Sequence, residues 1–420
     1  MSGSSTRRGG ALVLALLLLA YILNFLDRQI LGILAGPIIA DLKLTDAQFG
    51  AIGGLAFALL YSLLGIPLAM LADKTRRSWV IAGSLAVWSA FTALCGTAVS
   101  FGQLFFFRLG VGVGEAGGVA PSYALIADYY PPERRARALA IFSLGIPLGL
   151  AGGTLVGAYL AAWVNWRSAF LTMGIAGIVL APIMLIFVHD RTMPSASVAI
   201  RLTRTFASVA RKPSFWLMAV ASSCSSLAGY GLALWTPSVL ERSFGLGLIA
   251  RGQFLASLFL LGGTVGVFAG GWFADRLGQG DRRWYAWLPA IAWAITAPTF
   301  ALGLMAKSAW VAWPLLLIPN ALNILWLAPV STAIQHLVER PMRSTASASF
   351  LLINNLIGLG VGPTLIGALS TAFRHRFGIE ALRYAAVSVV GFYILATVLM
   401  LLAARDLRRV WVGDSVAENV

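Results

Sequence analysis

Residues 70–77 read Met70-Leu71-Ala72-Asp73-Lys74-Thr75-Arg76-Arg77, and residues 272–278 read Trp272-Phe273-Ala274-Asp275-Arg276-Leu277-Gly278. Each Ala-Asp-basic core follows a long apolar run, and the two aspartates stand 202 positions apart. A second echo has nearly the same offset. Glu133-Arg134-Arg135-Ala136-Arg137-Ala138 is matched 206 positions later by Glu339-Arg340-Pro341-Met342-Arg343-Ser344. Two independent echoes at one spacing point to a chain built twice.

The duplicated material is apolar. Hydrophobic residues make up 59% of the 420 residues and charged residues 11%, against about 25% charged in a soluble domain. A spanning helix needs about 20 mostly apolar residues. Twelve segments qualify: 11–36, 48–72, 79–99, 101–128, 137–162, 167–188, 214–240, 251–274, 284–306, 309–336, 345–372 and 381–404. They are too long and too uniformly apolar for barrel strands. The expected fold is an all-α membrane protein with twelve transmembrane helices in two six-helix halves. Residues 1–188 form the first bundle, 189–213 a basic linker containing Pro194 and Pro213, 214–404 the second bundle, and 405–420 a tail. Arg7-Arg8 before Ala11–Ala20 imitates a signal peptide, but no cleavage site with a polar mature domain follows, so the first span is read as uncleaved.

A net charge of +15 raises the question of nucleic acid, and its distribution answers no. Of 31 basic residues, 21 fall in the N-terminus, the linker, the tail and alternate loops; 8 fall in the opposite loops and 2 inside spans. The positive-inside rule then places both termini in the cytoplasm. The excess marks topology and attraction to anionic membrane lipids. Cys95 and Cys224 both lie within spans, so neither a disulfide framework nor a metal site is expected, and no residue pattern calls for a cofactor. No G-x-x-x-x-G-K-[ST] loop occurs, so any transport must draw on a gradient.

Four ionisable residues sit inside spans: Asp27 and Arg28 in the first, Arg108 and Glu115 in the fourth. A charge at mid-bilayer costs at least about 2.5–3.5 kcal/mol, so such groups pair, line a watery cavity or do work. Arg108 and Glu115 are seven residues apart, on one helix face and about 10.5 Å apart along the axis. Asn24 and Asp27 share a face of span one, whereas Arg28 is turned about 100° from Asp27. Asp27 is therefore expected against Arg108, as a structural ion pair or as part of a relay. Arg28 is left to recognise an anion in a cavity or to hold a helix interface. Glu115 has no arginine within a turn of its own helix and lies among Gly110, Gly112 and Gly114. A carboxyl packed against glycine and apolar side chains is the expected proton carrier.

The second half has no charge within a span. Its cavity-facing candidates are polar or aromatic: Tyr230 in span seven, Asn320, Asn323 and Trp326 in span ten, and Asn354 in span eleven. Such a wall suits an amphiphile with a polar head and a long tail better than a sugar acid. At span ends, Asp73, Arg77, Asp128, Glu133, Arg137, Asp275 and Arg276 are either solvated loop charges or a latch between halves. A membrane enzyme would need a nucleophile-base set or a metal cluster inside the spans, and none is visible, so an enzyme is not expected.

Two six-span halves with Ala-Asp-basic loops after spans two and eight resemble the major facilitator superfamily. So do Arg108-x-x-x-Gly112-x-Gly114, the loop Pro131–Arg137, and the glycine ladder of Gly145, Gly149, Gly152 and Gly153. The first loop departs from the pattern, with Ala69 where Gly is usual. Tyr21-Ile-Leu-Asn24-Phe-Leu-Asp27-Arg28-Gln29-Ile30 with Arg108 and Glu115 resembles the Spinster lipid-transporter branch. The resemblance implies a proton-coupled transporter of lysolipids or sphingolipid-like amphiphiles in a bacterial plasma membrane, working as a monomer. It favours the latch, with Asp73 facing the start of span eleven. Related branches that carry organic anions share Asn-x-x-Asp-Arg, so a small sugar acid held by Arg28 or Arg108 remains the alternative cargo.

Overall fold

The computed structural model describes residues 2–190, 208–278, 280–339 and 342–412. Most of the 189–213 linker, the end of the tail and the side chain of Asp275 lie outside the described residues. Every regular element among those described is helical. Ten continuous helical stretches are long and apolar enough to cross a bilayer. Two details reconcile ten with the twelve segments of the sequence. Thr345–Val410 is a single stretch of 66 residues, or about 99 Å of helix, several bilayer cores long. Gly378 divides it with a φ of +56°, a left-handed conformation that suits glycine, so span eleven ends at Phe377 and span twelve is Ala381–Val410. Span four is broken into Phe101–Glu115 and Val119–Tyr129, neither of which crosses alone.

The spans are apolar outside as well as inside. Large hydrophobic side chains such as Leu63, Ile175, Val265 and Ile394 are exposed along them, which only a lipid solvent tolerates on this scale. The protein is a multi-pass integral membrane protein.

The duplication reappears in the helix breaks. A π-helical turn at Ile52–Ala56 in span two has its counterpart at Phe259–Gly263 in span eight, 207 positions later. The break in span four begins at Ala116 and that in span ten at Asn323, again 207 apart. By this register Leu322 occupies the place of Glu115.

The residues group into two compact units. One comprises Met1–Ser197, Leu232–Leu260 and Pro363–Ala385; the other comprises Val198–Gly231, Leu261–Gly362 and Ala386–Val420. In the first unit, span one (Gly9–Ile33) packs on span five (Pro132–Trp163), and span three (Arg77–Cys95) packs on spans four and six. The glycine ladder is what lets span five lie on span one: a Cβ at Gly149 would stand 2.6 Å from the Ile22 carbonyl oxygen, and one at Gly153 2.7 Å from that of Leu26. In the second unit the fully buried Trp293 lies beside Trp326, at 6.3 Å between ring centroids, and Trp326 beside Phe350.

Candidate functional site

Span four carries the site because glycine brings it close to its neighbours. A Cβ at Gly112 would lie 2.4 Å from the Phe57 carbonyl oxygen of span two, so only glycine fits there. This approach puts Phe57 and Tyr61 beside the two arginines. The first pair forms as expected: Arg108 Nη1 donates to Asp27 Oδ2 at 3.1 Å, and both side chains are buried. Thr92 of span three donates to the other carboxylate oxygen at 2.8 Å, a partner the sequence did not single out.

The second pair corrects the expectation for Glu115. Its surroundings are not apolar save for Arg108: Arg28 Nε donates to Glu115 Oε2 at 2.8 Å and Nη2 lies 2.7 Å from the same oxygen. Arg28 thus holds a helix interface. The cause is the length of the arginine side chain. Asp27 and Arg28 rise only about 1.5 Å apart on span one, whereas Arg108 and Glu115 are about 10.5 Å apart on span four. Each arginine stem reaches across to the acid on the other helix. A search confined to one helix turn around Glu115 could not find that partner.

The Glu115 side chain is fully buried while Arg28 keeps 15% exposure. The Arg28 guanidinium carbon stands 5.3 Å from the Phe25 ring centroid and 4.8 Å from those of Phe57 and Tyr61. Aromatic faces stabilise a cation in that position. Two buried polar atoms of the pairs, Glu115 Oε1 and Arg108 Nε, have no hydrogen-bond partner.

The second-half candidates are held within their own unit. Ser226 donates to Asn354 Oδ1 at 2.9 Å, Tyr393 donates to Asn323 Oδ1 at 3.1 Å, and Asn320 donates to the Leu316 carbonyl of its own helix at 2.8 Å. Trp326 is buried in the tryptophan cluster, and Tyr230 is 36% exposed. Among the end charges, Arg77 joins Asp128 at 2.5 Å and Asp73 at 3.5 Å. Glu133 and Arg137 are exposed, and Arg276 stacks over Trp272 with 5.6 Å to the ring centroid.

One cluster went unnoticed in the sequence because Asp46 reads as an ordinary loop acid. It is buried. Arg242, at the end of span seven, grips both its oxygens at 2.7 and 2.8 Å, and Ser370 of span eleven donates at 2.7 Å. The next amide, Ala47 N, donates to Thr371 at 3.0 Å. A capping box of Thr45 and Gln48 fixes the turn. All these residues lie in the first unit.

Residues 17–363 match the Major Facilitator Superfamily model. A relative from Mycolicibacterium smegmatis named as an MFS-type efflux pump is 34% identical, covering 96% of this chain and 94% of its own. Protein spinster of Drosophila melanogaster is 26% identical over 88% of this chain and 63% of its own. The hexuronate transporter of Bacillus subtilis is 24% identical over 90% and 94%. In structure, a bacterial homologue of the human lysosomal transporter Spinster, solved in an inward-facing, unoccupied conformation, superposes with a TM-score of 0.84 at 28% identity, covering 97% of this chain and 99% of that one. The buried charges on spans one and four therefore sit in a protein that belongs to the major facilitator superfamily and, within it, resembles the Spinster branch.

Proposed function

We propose that this transporter couples protons to the movement of an amphiphile with an anionic head, of the lysolipid or sphingolipid class, and that Glu115 with Arg28 is the coupling device. The observation that carries the reading is the pairing itself. Glu115 presents one oxygen to Arg28 and keeps the other, Oε1, buried and unpartnered. A proton taken on Oε1 removes the counter-charge of Arg28 without moving either helix. The guanidinium stays over its three aromatic rings and then turns its charge to a phosphate or carboxylate head. Release of the proton restores the pair and expels the head. Asp27, Arg108 and Thr92 hold spans one, three and four in register, and Asn24 adds a polar group on the face of Asp27.

The sugar-acid reading uses the same cation and is favoured by the hexuronate transporter among the relatives. The cargo distinguishes the two readings. In reconstituted vesicles with and without a pH gradient, the parent should take up labelled lysolipid in a gradient-dependent way and labelled hexuronate far less. The reverse order assigns the sugar acid, and uptake of either without any gradient dependence removes the proton. In the same reading the chain works as a monomer in a bacterial plasma membrane with both termini in the cytoplasm. Asp46 with Arg242 closes the outer end, and Asp73, Arg77 and Asp128 serve the inner end.

A further inference from the structure

We propose that the groove between spans two, three and four holds one acidic phospholipid of the leaflet beside the 73–78 loop, as a resident lipid distinct from the cargo. The groove has a volume of about 800 Å³, within the about 300–1,000 Å³ of small-ligand sites. Its walls are Leu68 and Leu71 from span two and Val80 and Val87 from span three; Val113 and Gly114 of span four close it. Leu71 and Val87 are exposed in it. From Arg77, the first helical residue of span three, to Val87 the groove runs about 15 Å. That is half of an about 30 Å hydrocarbon core, the depth of one acyl chain in one leaflet.

The mouth supplies the head. Arg76 and Thr75 line it, and Trp79, 64% exposed, stands beneath the Arg76 guanidinium at 5.7 Å to the ring centroid. Tryptophan at this level is an interfacial anchor. The neighbouring carboxylates are engaged elsewhere: Asp73 and Asp128 with Arg77, and Asp190 with Ser78. Arg76 forms no ion pair among the described residues, and Lys74 is exposed beside it. An apolar slot one leaflet deep, with an uncompensated guanidinium at its open end, matches an acyl chain under a phosphate head. A neutral lipid satisfies the slot and not the cation.

Gly83 offers the test, because a Cβ there meets nothing within 4 Å and a longer side chain enters open space. The full chain is reconstituted in vesicles of equal phosphatidylglycerol and phosphatidylcholine with matched chains, extracted gently, and the retained lipids are counted by native mass spectrometry. The parent should keep phosphatidylglycerol in preference. Arg76→Gln should lower that preference about fivefold, the effect of one basic residue at an anionic surface. Gly83→Leu should lose the retained lipid of both kinds. Gly391→Leu, equally uncrowded but on span twelve, should behave as the parent. Equal retention of the two lipids by the parent, retention by both groove variants, or equal loss in Gly391→Leu each overturns the proposal. Circular dichroism on each variant confirms that it is folded, and since no transport is measured, the outcome is independent of the cargo.

Discussion

In the proposed coupling, Glu115 and Arg28 are the residues at which a single proton changes most. Glu115→Gln keeps the shape and removes the charge, so it should leave the fold intact and abolish the dependence of uptake on the pH gradient. Uptake that keeps the parent's gradient response in Glu115→Gln moves the coupling elsewhere, with Asp27 first in line. Arg28→Ala is a different injury, since it leaves a buried carboxylate without its partner. Breaking a buried pair costs about 3–5 kcal/mol, and Arg28→Ala combined with Glu115→Gln should recover part of it, read as thermal midpoint in detergent. The Asp27–Arg108 pair obeys the same logic with Thr92 as an added partner. Asp27→Asn and Arg108→Ala should each be damaging, and together they should miss additivity by about 0.5–3 kcal/mol; simple addition would show that the two act separately. The Asp27–Arg108 contact was legible because helical geometry alone turns Asn24 and Asp27 to one face and Arg108 to a fixed place on another span. The Arg28–Glu115 contact was not, because it depends on how far two arginine stems reach between crossing helices.

At the scale of the helix, glycine decides where span four can lie. Gly112→Ala would set a Cβ 2.4 Å from the Phe57 carbonyl, which is backbone and cannot swing aside. Overpacking of this kind costs about 1–3 kcal/mol. The thermal midpoint of Gly112→Ala should fall well below that of Gly83→Ala, whose Cβ meets nothing; equal midpoints would show that spans two and four part without strain. The apolar runs and the close-packing glycines were readable in the chain, since length and side-chain size fix them. The breaks were not. Ala116-Gly117-Gly118 and Asn323–Trp326 sit within runs whose hydropathy is unbroken, and a hydropathy window cannot sense a turn of helix that tightens. The first break comes directly after Glu115 and is bridged by tighter bonds: the Gly117 amide donates to the Gly114 carbonyl and the Gly118 amide to that of Glu115.

At the scale of the whole molecule, the charge pattern and the two echoes carried the family assignment, while the Asp46 cluster escaped notice because its partners are about 200 and 320 positions away along the chain. Asp46 gathers three charge-assisted hydrogen bonds from spans seven and eleven, each worth about 1.5–3 kcal/mol. Asp46→Asn should loosen the end of the molecule opposite the 73–78 loop. A cysteine placed at the buried Leu44 should then react faster with an impermeant reagent from outside, by about tenfold for a shift of 1.4 kcal/mol. Asp73→Asn, at the other end, should not raise that rate. A Leu44 cysteine equally unreactive in parent and Asp46→Asn would reduce Asp46 to a local brace. Both native cysteines are buried, which keeps the background low.

The four intramembrane charges cancel, and three aromatic rings stand around Arg28; in the proposed cycle they keep its guanidinium in place when Glu115 is neutral. An anionic head that replaces the carboxylate, together with the proton that displaced it, leaves the sum at zero in the loaded and the empty carrier alike. Moving one elementary charge through 100 mV is worth about 2.3 kcal/mol, and a carrier with no net charge in either form does not feel it. Uptake of a monoanion should therefore follow the pH difference and ignore an imposed membrane voltage, so that a potassium diffusion potential of either sign leaves its initial rate where it was.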